Sequence, residues 1–292
     1  LNKYFRLNFK ALLGCLAVFG SAFFFYLATC VVKWSMQAGL LIAPSFFVFA
    51  RFSGGFLAVI LVMMIKNQAI KPKKYKYLIG RTIANCIAVY CFFKGTALTS
   101  VAQANILNMT YPVFIALISW FAYKKERDII SILIVAASFT GVCLILEPGK
   151  SGFNFDSIWA LASGISAAVA LIYLNLCRRD NDTETTLFFL FGIGSIVILL
   201  IFYDEIHIPD FVTFKYLLLC AFFSITGQYL ITIGFKYVTA IEGGIISSTR
   251  ILLAALLGPF IVSDPALSFS GWAGAVLIFS CNIYLTIRKS KI

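Results

Sequence analysis

The sequence predicts an all-α integral membrane protein: ten transmembrane helices, arranged as two five-helix inverted repeats. Three observations predict it. Of the 292 residues, 61% are hydrophobic and only 12% charged, with a mean hydropathy of +0.95, so there is more apolar side chain than one soluble core can hide. The charges gather in short clusters that separate apolar blocks of about 20 residues, the length that crosses a bilayer. Each half contains five such blocks, and in each half the fourth block has a polar edge with an acidic residue just beyond it, Glu126 and Asp264.

The blocks run over residues 11–33, 40–65, 75–94, 99–123, 128–147, 154–178, 185–203, 213–235, 240–262 and 268–288. Lys3, Arg6 and Lys10 precede the first, in the manner of a signal peptide, but the apolar run from Ala11 to Val32 has no clear small-residue cleavage site and reads as a retained helix. Cytoplasmic loops hold the lysine and arginine excess of a membrane protein. With both termini cytoplasmic, that side collects Lys66, Lys71, Lys73, Lys74, Lys76, Lys124, Lys125, Arg127, Arg178, Arg179, Lys236, Arg288, Lys289 and Lys291 besides the first three. The other side keeps Lys33, Lys94, Lys150 and Lys215, and its longest loop, Asp204 to Asp210, is acidic. Trp34, Trp120, Trp159 and Trp272 fall near block ends, where interfacial anchors belong. A shift of 138 residues lays Thr99 to Ala102 over Tyr237 to Ala240 and Glu126 over Asp264. Because five is odd, the second half runs the opposite way through the membrane. The repeats are expected over 1–150 and 151–292, together forming one domain.

The formal charge of +12 does not point to nucleic acid, because the basic residues lie between apolar segments and follow no nucleic-acid motif. The eight cysteines all sit inside apolar blocks without a CxxC pair, and there is one histidine, His207. They read as small buried hydrophobes, with no metal site, no cofactor and no catalytic residue expected.

The most informative stretch runs from Ala97 to Arg127. Gln103, Asn105, Asn108 and Tyr111 recur at two-, three- and three-residue steps and share one sector of a helix. Pro112 removes a backbone donor there, which a membrane accepts only beside protein or a watery cavity. The edge therefore faces inward.

Pro44 to Arg51 in the second block, Ala97-Leu98 leading through Thr99 to Ala102 into the fourth, Pro112, Glu126, Gly141-Val142 and Glu147-Pro148 together resemble the EamA family of the drug/metabolite transporter superfamily. The resemblance covers nearly the whole chain. It implies a ten-helix inner-membrane carrier of amino acids or other small metabolites, in a bacterial cytoplasmic membrane. Arg250 stands at the position aligned with Pro112, and Asp264 where glutamate is common; both are departures from the family pattern.

Three arginines lie inside blocks, Arg51, Arg81 and Arg250. A charge at the bilayer centre costs about 2.5–3.5 kcal/mol on insertion scales, so each faces protein or a cavity. A guanidinium holds a carboxylate or phosphate through two parallel hydrogen bonds; alternatively it ties down helix carbonyls, Glu242 or tyrosines. Arg51 reads first as structural, Arg250 first as ligand-binding because Ser247, Ser248 and Thr249 precede it. Glu242 opens the ninth block, where it suits the positive end of the helix dipole; if buried instead, it becomes a proton-coupling group. Ser21, Asn85, Ser163, Ser166, Tyr173, Ser224, Tyr229 and Thr232 read mainly as interhelical glue. The expected substrate-binding set is Asn105, Asn108, Tyr111, Gln228, Arg250, Arg51 and Tyr90, with Glu242 for coupling; Phe92 and Phe93 are aromatic candidates for the same cavity.

These readings predict a secondary active transporter or exchanger of a small polar metabolite, an amino acid or a related anionic or zwitterionic compound, working by alternating access as a monomer or homodimer among membrane lipid. Nothing resembles a Walker-type loop, so a proton or a counter-substrate supplies the drive. The alternative from another class is a membrane-embedded lipid-modifying enzyme, which needs paired acids or a nucleophile with its base at membrane depth. A channel would need a charged ring or a filter segment.

Overall fold

A computed structural model describes residues 2–122, 129–146, 155–177, 180–234, 237 and 240–289. They form the helices α1 (Asn2–Gln37), α2 (Pro44–Lys66), α3 (Tyr75–Leu98), α4 (Val101–Asn108), α5 (Tyr111–Ala122), α6 (Ile129–Leu146), α7 (Ser157–Cys177), α8 (Thr183–Ile201), α9 (Phe211–Gly234), α10 (Ala240–Ile261) and α11 (Phe269–Lys289). Among the described residues there is no strand. Glu126, Glu147 and Pro148 lie outside the described residues.

Among the described residues the ten apolar blocks become eleven helices, because α4 and α5 divide the fourth. Six stretches are long and apolar enough to cross a membrane: Leu12–Gln37, Pro44–Lys66, Val101–Ile118, Ser157–Leu174, Thr183–Ile201 and Phe211–Ile231. Leu133–Ile145, Ile246–Ile261 and Phe269–Tyr284 are apolar but shorter. In α3, Lys76, Arg81, Asn85 and Lys94 dilute the apolar character. Large apolar side chains such as Leu57, Leu61, Ile83, Leu200, Phe222 and Phe260 are exposed, the surface a lipid-facing bundle requires and a soluble domain avoids. The chain is a multi-pass membrane protein.

Helix ends follow local chemistry. Pro44 opens α2, where its missing N–H costs nothing, and Asn67 closes it in a left-handed conformation (φ 49°) with its N–H returned to Met63 and Met64 carbonyls. Gly39 (φ 76°) turns the chain after α1, a conformation in which any Cβ is strained.

Helices of the two halves cross one another throughout. α3 packs on α7 and α1 on α9, while α2 packs on α8 and α6 on α11. At the α2–α8 crossing the fully buried rings of Phe52 and Phe191 meet edge to face, 6.0 Å between centroids and 65° between planes. A Cβ on Gly55 would fall 2.6 Å from the Phe191 ring, and one on Gly194 would fall 2.7 Å from the Phe52 ring. Each phenylalanine fills the notch left by the other helix's glycine, and in both cases the two like residues are 139 positions apart.

Polar contacts close both ends of the bundle. At the end carrying the α2–α3 loop, Lys66 pairs with Glu184 at 2.5 Å and Lys74 with Asp180 at 2.9 Å. Gln68 donates to Asp182 at 2.9 Å, and Asn181 bonds the Lys73 backbone in both directions, at 2.7 and 2.9 Å. At the opposite end the Trp34 indole donates to the Ile261 carbonyl at 3.0 Å, Gln37 to the Val262 carbonyl at 2.5 Å, and Ser45 to Glu205. There the α4 N-terminus is capped twice: Ser100 accepts from Gln103 N–H at 3.0 Å, and Asp264 accepts from Val101 N–H at 2.5 Å. Burial pushes the Asp264 carboxyl up, against that N–H and the charge of Lys33.

Asp182 combines a latch with a cap, since its other oxygen accepts the Thr185 N–H at 2.7 Å. Burial raises its carboxyl, but the bonds from Thr185 and Gln68 outweigh burial and hold it below its ordinary value. A depressed carboxyl stabilises the fold above its unfolded pKa, about 3.9, and that contribution disappears as pH falls through the folded value. Asp182→Ala is expected to cost about 1 kcal/mol at neutral pH, and Asp182→Asn, which keeps the cap, less. Thermal unfolding in detergent checks this, with the gap between wild type and Asp182→Ala shrinking as the pH falls below about 4.

Candidate functional site

The site begins at the break between α4 and α5. α4 ends at Asn108, Met109 and Thr110 form a turn, and α5 restarts at Tyr111. Pro112 explains the break: it has no N–H for the Asn108 carbonyl one turn earlier, and at the second position of a new helix that lack is harmless. The sequence had placed Pro112 inside one continuous helix; the structure places it at the start of a second. The Thr110 hydroxyl donates to the Leu107 carbonyl at 2.6 Å, and Asn282 of α11 donates to the Met109 carbonyl at 2.7 Å. Backbone irregularity inside the membrane is thereby paired with protein. α7 presses on the break at Gly164, where a Cβ would lie 2.7 Å from the Thr110 hydroxyl and 2.8 Å from the Leu107 carbonyl.

Asn108, at the end of α4, is buried and used on both sides. Its amide donates to the Ser163 hydroxyl of α7 at 2.9 Å, and its carbonyl oxygen accepts from Nη2 of Arg250 on α10. Ser163 is itself fixed by donating to the Ala160 carbonyl at 2.6 Å. Arg250 is therefore aimed by a chain of contacts through α4 and α7. Its guanidinium lies 5.1 Å from the Phe92 ring centre and 5.9 Å from that of Phe25. Arg51, from α2, lies over the same Phe25 ring at 5.4 Å. Arg51 and Arg250 are only 7% and 6% exposed, and the Nε of each is buried without a hydrogen-bond partner.

Two guanidiniums, one from each half of the chain, thus share one phenylalanine. Cation–π attraction holds them in place without cancelling their charge. The acids whose side chains are described, Asp156, Asp180, Asp182, Glu184, Asp204, Glu205, Asp210 and Asp264, all lie at helix ends or in loops. Tyr111, at the start of α5, is half-buried and within electrostatic reach of Arg250. Chemically, the arrangement can hold an anion through directed N–H donors in a low-dielectric setting.

The other expected residues are distributed around this centre. Asn105 is fully buried one turn before Asn108, but its amide faces α1, donating to Thr29 at 3.1 Å and to the Val101 carbonyl at 2.8 Å; its own oxygen has no hydrogen-bond partner. Gln228 is half-buried on α9, next to Gly227, whose added Cβ would touch the Phe25 ring at 3.1 Å. Tyr90 belongs to a different cluster: it stacks on Phe202 at 4.7 Å and meets Trp159 edge to face, with the Lys94 ammonium 3.9 Å from the Trp159 ring centre. The side chain of Glu242 lies outside the described residues. Arg81 is buried on α3 near Cys177 of α7. Phe25 was missed, because one phenylalanine among 30 carries no signal in the sequence; Ser163 read as glue, yet it positions Asn108.

A cavity lies near each end of the bundle. One of about 270 Å³ is lined by Ile42, Phe46, Asp204, Glu205, His207 and Thr213, and another of about 430 Å³ by Met63, Met64, Asn67, Gln68, Ile70 and Phe188. Neither is lined by the arginines, which are closed off from solvent between the two ends.

A helical bundle with a broken helix and polar side chains converging at its centre is the build of a membrane transporter. The model of the EamA-like transporter family matches the chain twice, over residues 12–147 and 155–286. The chain belongs to that family. It is 22% identical to a pseudopaline exporter of Pseudomonas aeruginosa, over 94% of this chain and 97% of the exporter. It is also 22% identical to a riboflavin transporter of Rhizobium johnstonii, over 97% and 93% of the two chains. Human solute carrier family 35 member G1 is 22% identical over 77% of this chain and 66% of its own length. A solved crystal structure shares the fold with a TM-score of 0.60 and 17% identity, covering 93% of this chain and 96% of the other.

Proposed function

We propose that this transporter is a secondary carrier or exchanger of a small anionic or zwitterionic metabolite, which it holds at Arg51, Arg250 and Asn108 and releases by alternating access. The observation that carries the proposal is the pair of buried guanidiniums over Phe25, without an acidic partner among the described side chains. A buried charge is kept in a membrane where it has work on a substrate pathway. Tyr111 and Asn105 extend the polar wall, and Gln228 borders it. The names of two relatives, a pseudopaline exporter and a riboflavin transporter, point to metabolite-sized cargo.

Inverted repeats over 1–150 and 151–292 supply the motion. Exchanging each helix for its counterpart in the other half turns the α3–α7 contact into the α1–α9 contact and leaves the α2–α8 and α6–α11 contacts in place. The reciprocal Phe52–Gly194 and Phe191–Gly55 packing supports the same relation. Ten crossings with both termini cytoplasmic, in a bacterial inner membrane, fit the lysine and arginine distribution. The α2–α3 loop and the α7–α8 turn then form the cytoplasmic latch, which opens in one of the two access states. A proton or a counter-substrate drives the cycle.

The latch provides the test. Gln68→Cys together with Asp182→Cys, joined by oxidation in proteoliposomes, is expected to stop exchange, and reductant to restore it. Undiminished exchange in fully cross-linked protein would refute alternating access at this face.

A further inference from the structure

The arrangement of the two arginines also constrains the charge of the ligand. Arg51 and Arg250 come from different halves of the chain, and both are more than nine-tenths buried. Their guanidinium carbons lie 5.4 and 5.9 Å from one ring centre, so they are no farther apart than those two distances combined, within the span of one small molecule. They are close enough to oppose one another electrostatically. Asn108 supplies Arg250 with a neutral acceptor only, and Arg51 sits among Phe25, Cys86 and Cys220. Each keeps an Nε with no hydrogen-bond partner. Glu242 shares α10 with Arg250, but its backbone is two turns away, about 12 Å along the axis at the helical rise.

Two like charges in a low-dielectric centre repel strongly unless counter-charge arrives. A monoanion satisfies one guanidinium and leaves the other opposed only by an aromatic face. A ligand with two negative charges satisfies both and leaves the loaded centre neutral. Arginine's fork suits planar carboxylate and tetrahedral phosphate oxygens alike.

We propose that the site binds a small divalent organic anion, a dicarboxylate or a phosphomonoester, with negative charge shared between Arg51 and Arg250 across Phe25. This rests on the reading of the chain as a carrier with its site at the arginine pair. A consequence is strict exchange: the empty centre holds two uncompensated charges as it reorients, the loaded centre none, so return of the empty carrier is slow.

The test is binding to the purified full-length protein, measured by calorimetry in detergent. The probes are dicarboxylates of about three to six carbons and small phosphomonoesters, each set against its monoamide or monomethyl ester. At least one dianion is expected to bind about tenfold or more tighter than its monovalent counterpart. Phosphomonoester binding is expected to strengthen as pH rises through about 6, where the second proton leaves. Arg51→Gln is expected to bring the dianion and its monovalent analogue within about threefold of each other, and Arg51→Lys to keep the preference. Gel filtration shows that each variant is folded. Monovalent analogues binding as tightly as their dianions, or a preference unchanged in Arg51→Gln, would overturn the proposal while leaving an anion site at Arg250 intact. Binding of no anion of either charge would overturn both this proposal and the anion-carrier reading beneath it.

Discussion

Arg250→Ala is expected to abolish exchange while leaving the empty protein about as stable as wild type. Two opposing effects cancel in the empty state. Removing a buried charge relieves about 2.5–3.5 kcal/mol of insertion cost. It also strips the Asn108 oxygen of its donor, at about 1–3 kcal/mol. Nothing cancels the loss for the loaded state, because the ligand's anionic group is left buried without its partner, at about 2–5 kcal/mol or more. That corresponds to roughly 30-fold to several-thousand-fold weaker binding. Arg250→Lys retains the charge but not the fork and falls between the two. Counterflow rates in proteoliposomes, set beside melting temperatures in detergent, measure both halves of the claim. A variant that unfolds would make Arg250 structural, and one that exchanges at the wild-type rate would remove it from the site.

Gly95→Leu is expected to prevent assembly of the bundle, and Gly95→Ala to lower its melting temperature sharply. A Cβ at Gly95 would lie 2.8 Å from the Ala160 nitrogen and 3.0 Å from its Cα and Cβ, on the opposing helix α7. Backbone atoms of a packed helix cannot swing aside as a side-chain tip can. Overpacking costs about 1–3 kcal/mol where neighbours adjust, and this site sits at or above the upper end. Gly234 at the α1–α9 crossing is equally closed, with Val18 Cγ2 2.5 Å and the Gly14 carbonyl 3.1 Å from an added Cβ. Gly54→Ala is the control: its Cβ would meet the Ile225 Cδ1 tip at 3.3 Å, which can move. Melting temperature and the folded fraction on gel filtration check the series. A Gly95→Leu protein that melts like wild type would mean that α3 and α7 do not touch as described.

Much of the fold was legible because lipid imposes a simple rule on sequence. Apolar runs must be long enough to cross, and their ends carry lysines, arginines and tryptophans. Trp34, Trp120, Trp159 and Trp272 do lie close to helix ends. The broken fourth block was half legible. Pro112 announced that backbone groups were freed, but where the helix stopped depended on Thr110 and Asn282 being positioned to take the carbonyls. Asn108 and Arg250 were recognisable singly, because polar groups at membrane depth are costly and rarely idle. Their direct contact across 142 residues belongs to tertiary packing, which no local pattern encodes. Tyr90 packs on Phe202 and Trp159 because of its angular position on α3, which tertiary contacts define and the sequence does not. Phe25 was invisible for a statistical reason, and the tight glycines of the crossings read in sequence only as small residues.

The most direct measurement is counterflow by the wild-type protein in proteoliposomes, preloaded in turn with unlabelled dicarboxylates, phosphomonoesters, amino acids and neutral metabolites of similar size. The account predicts saturable uptake of a labelled anion that depends on an anionic load inside, and its loss when Arg51 and Arg250 are both replaced by glutamine. Uptake of a neutral compound that ignores both substitutions, or no exchange of any anion by folded protein, would contradict it.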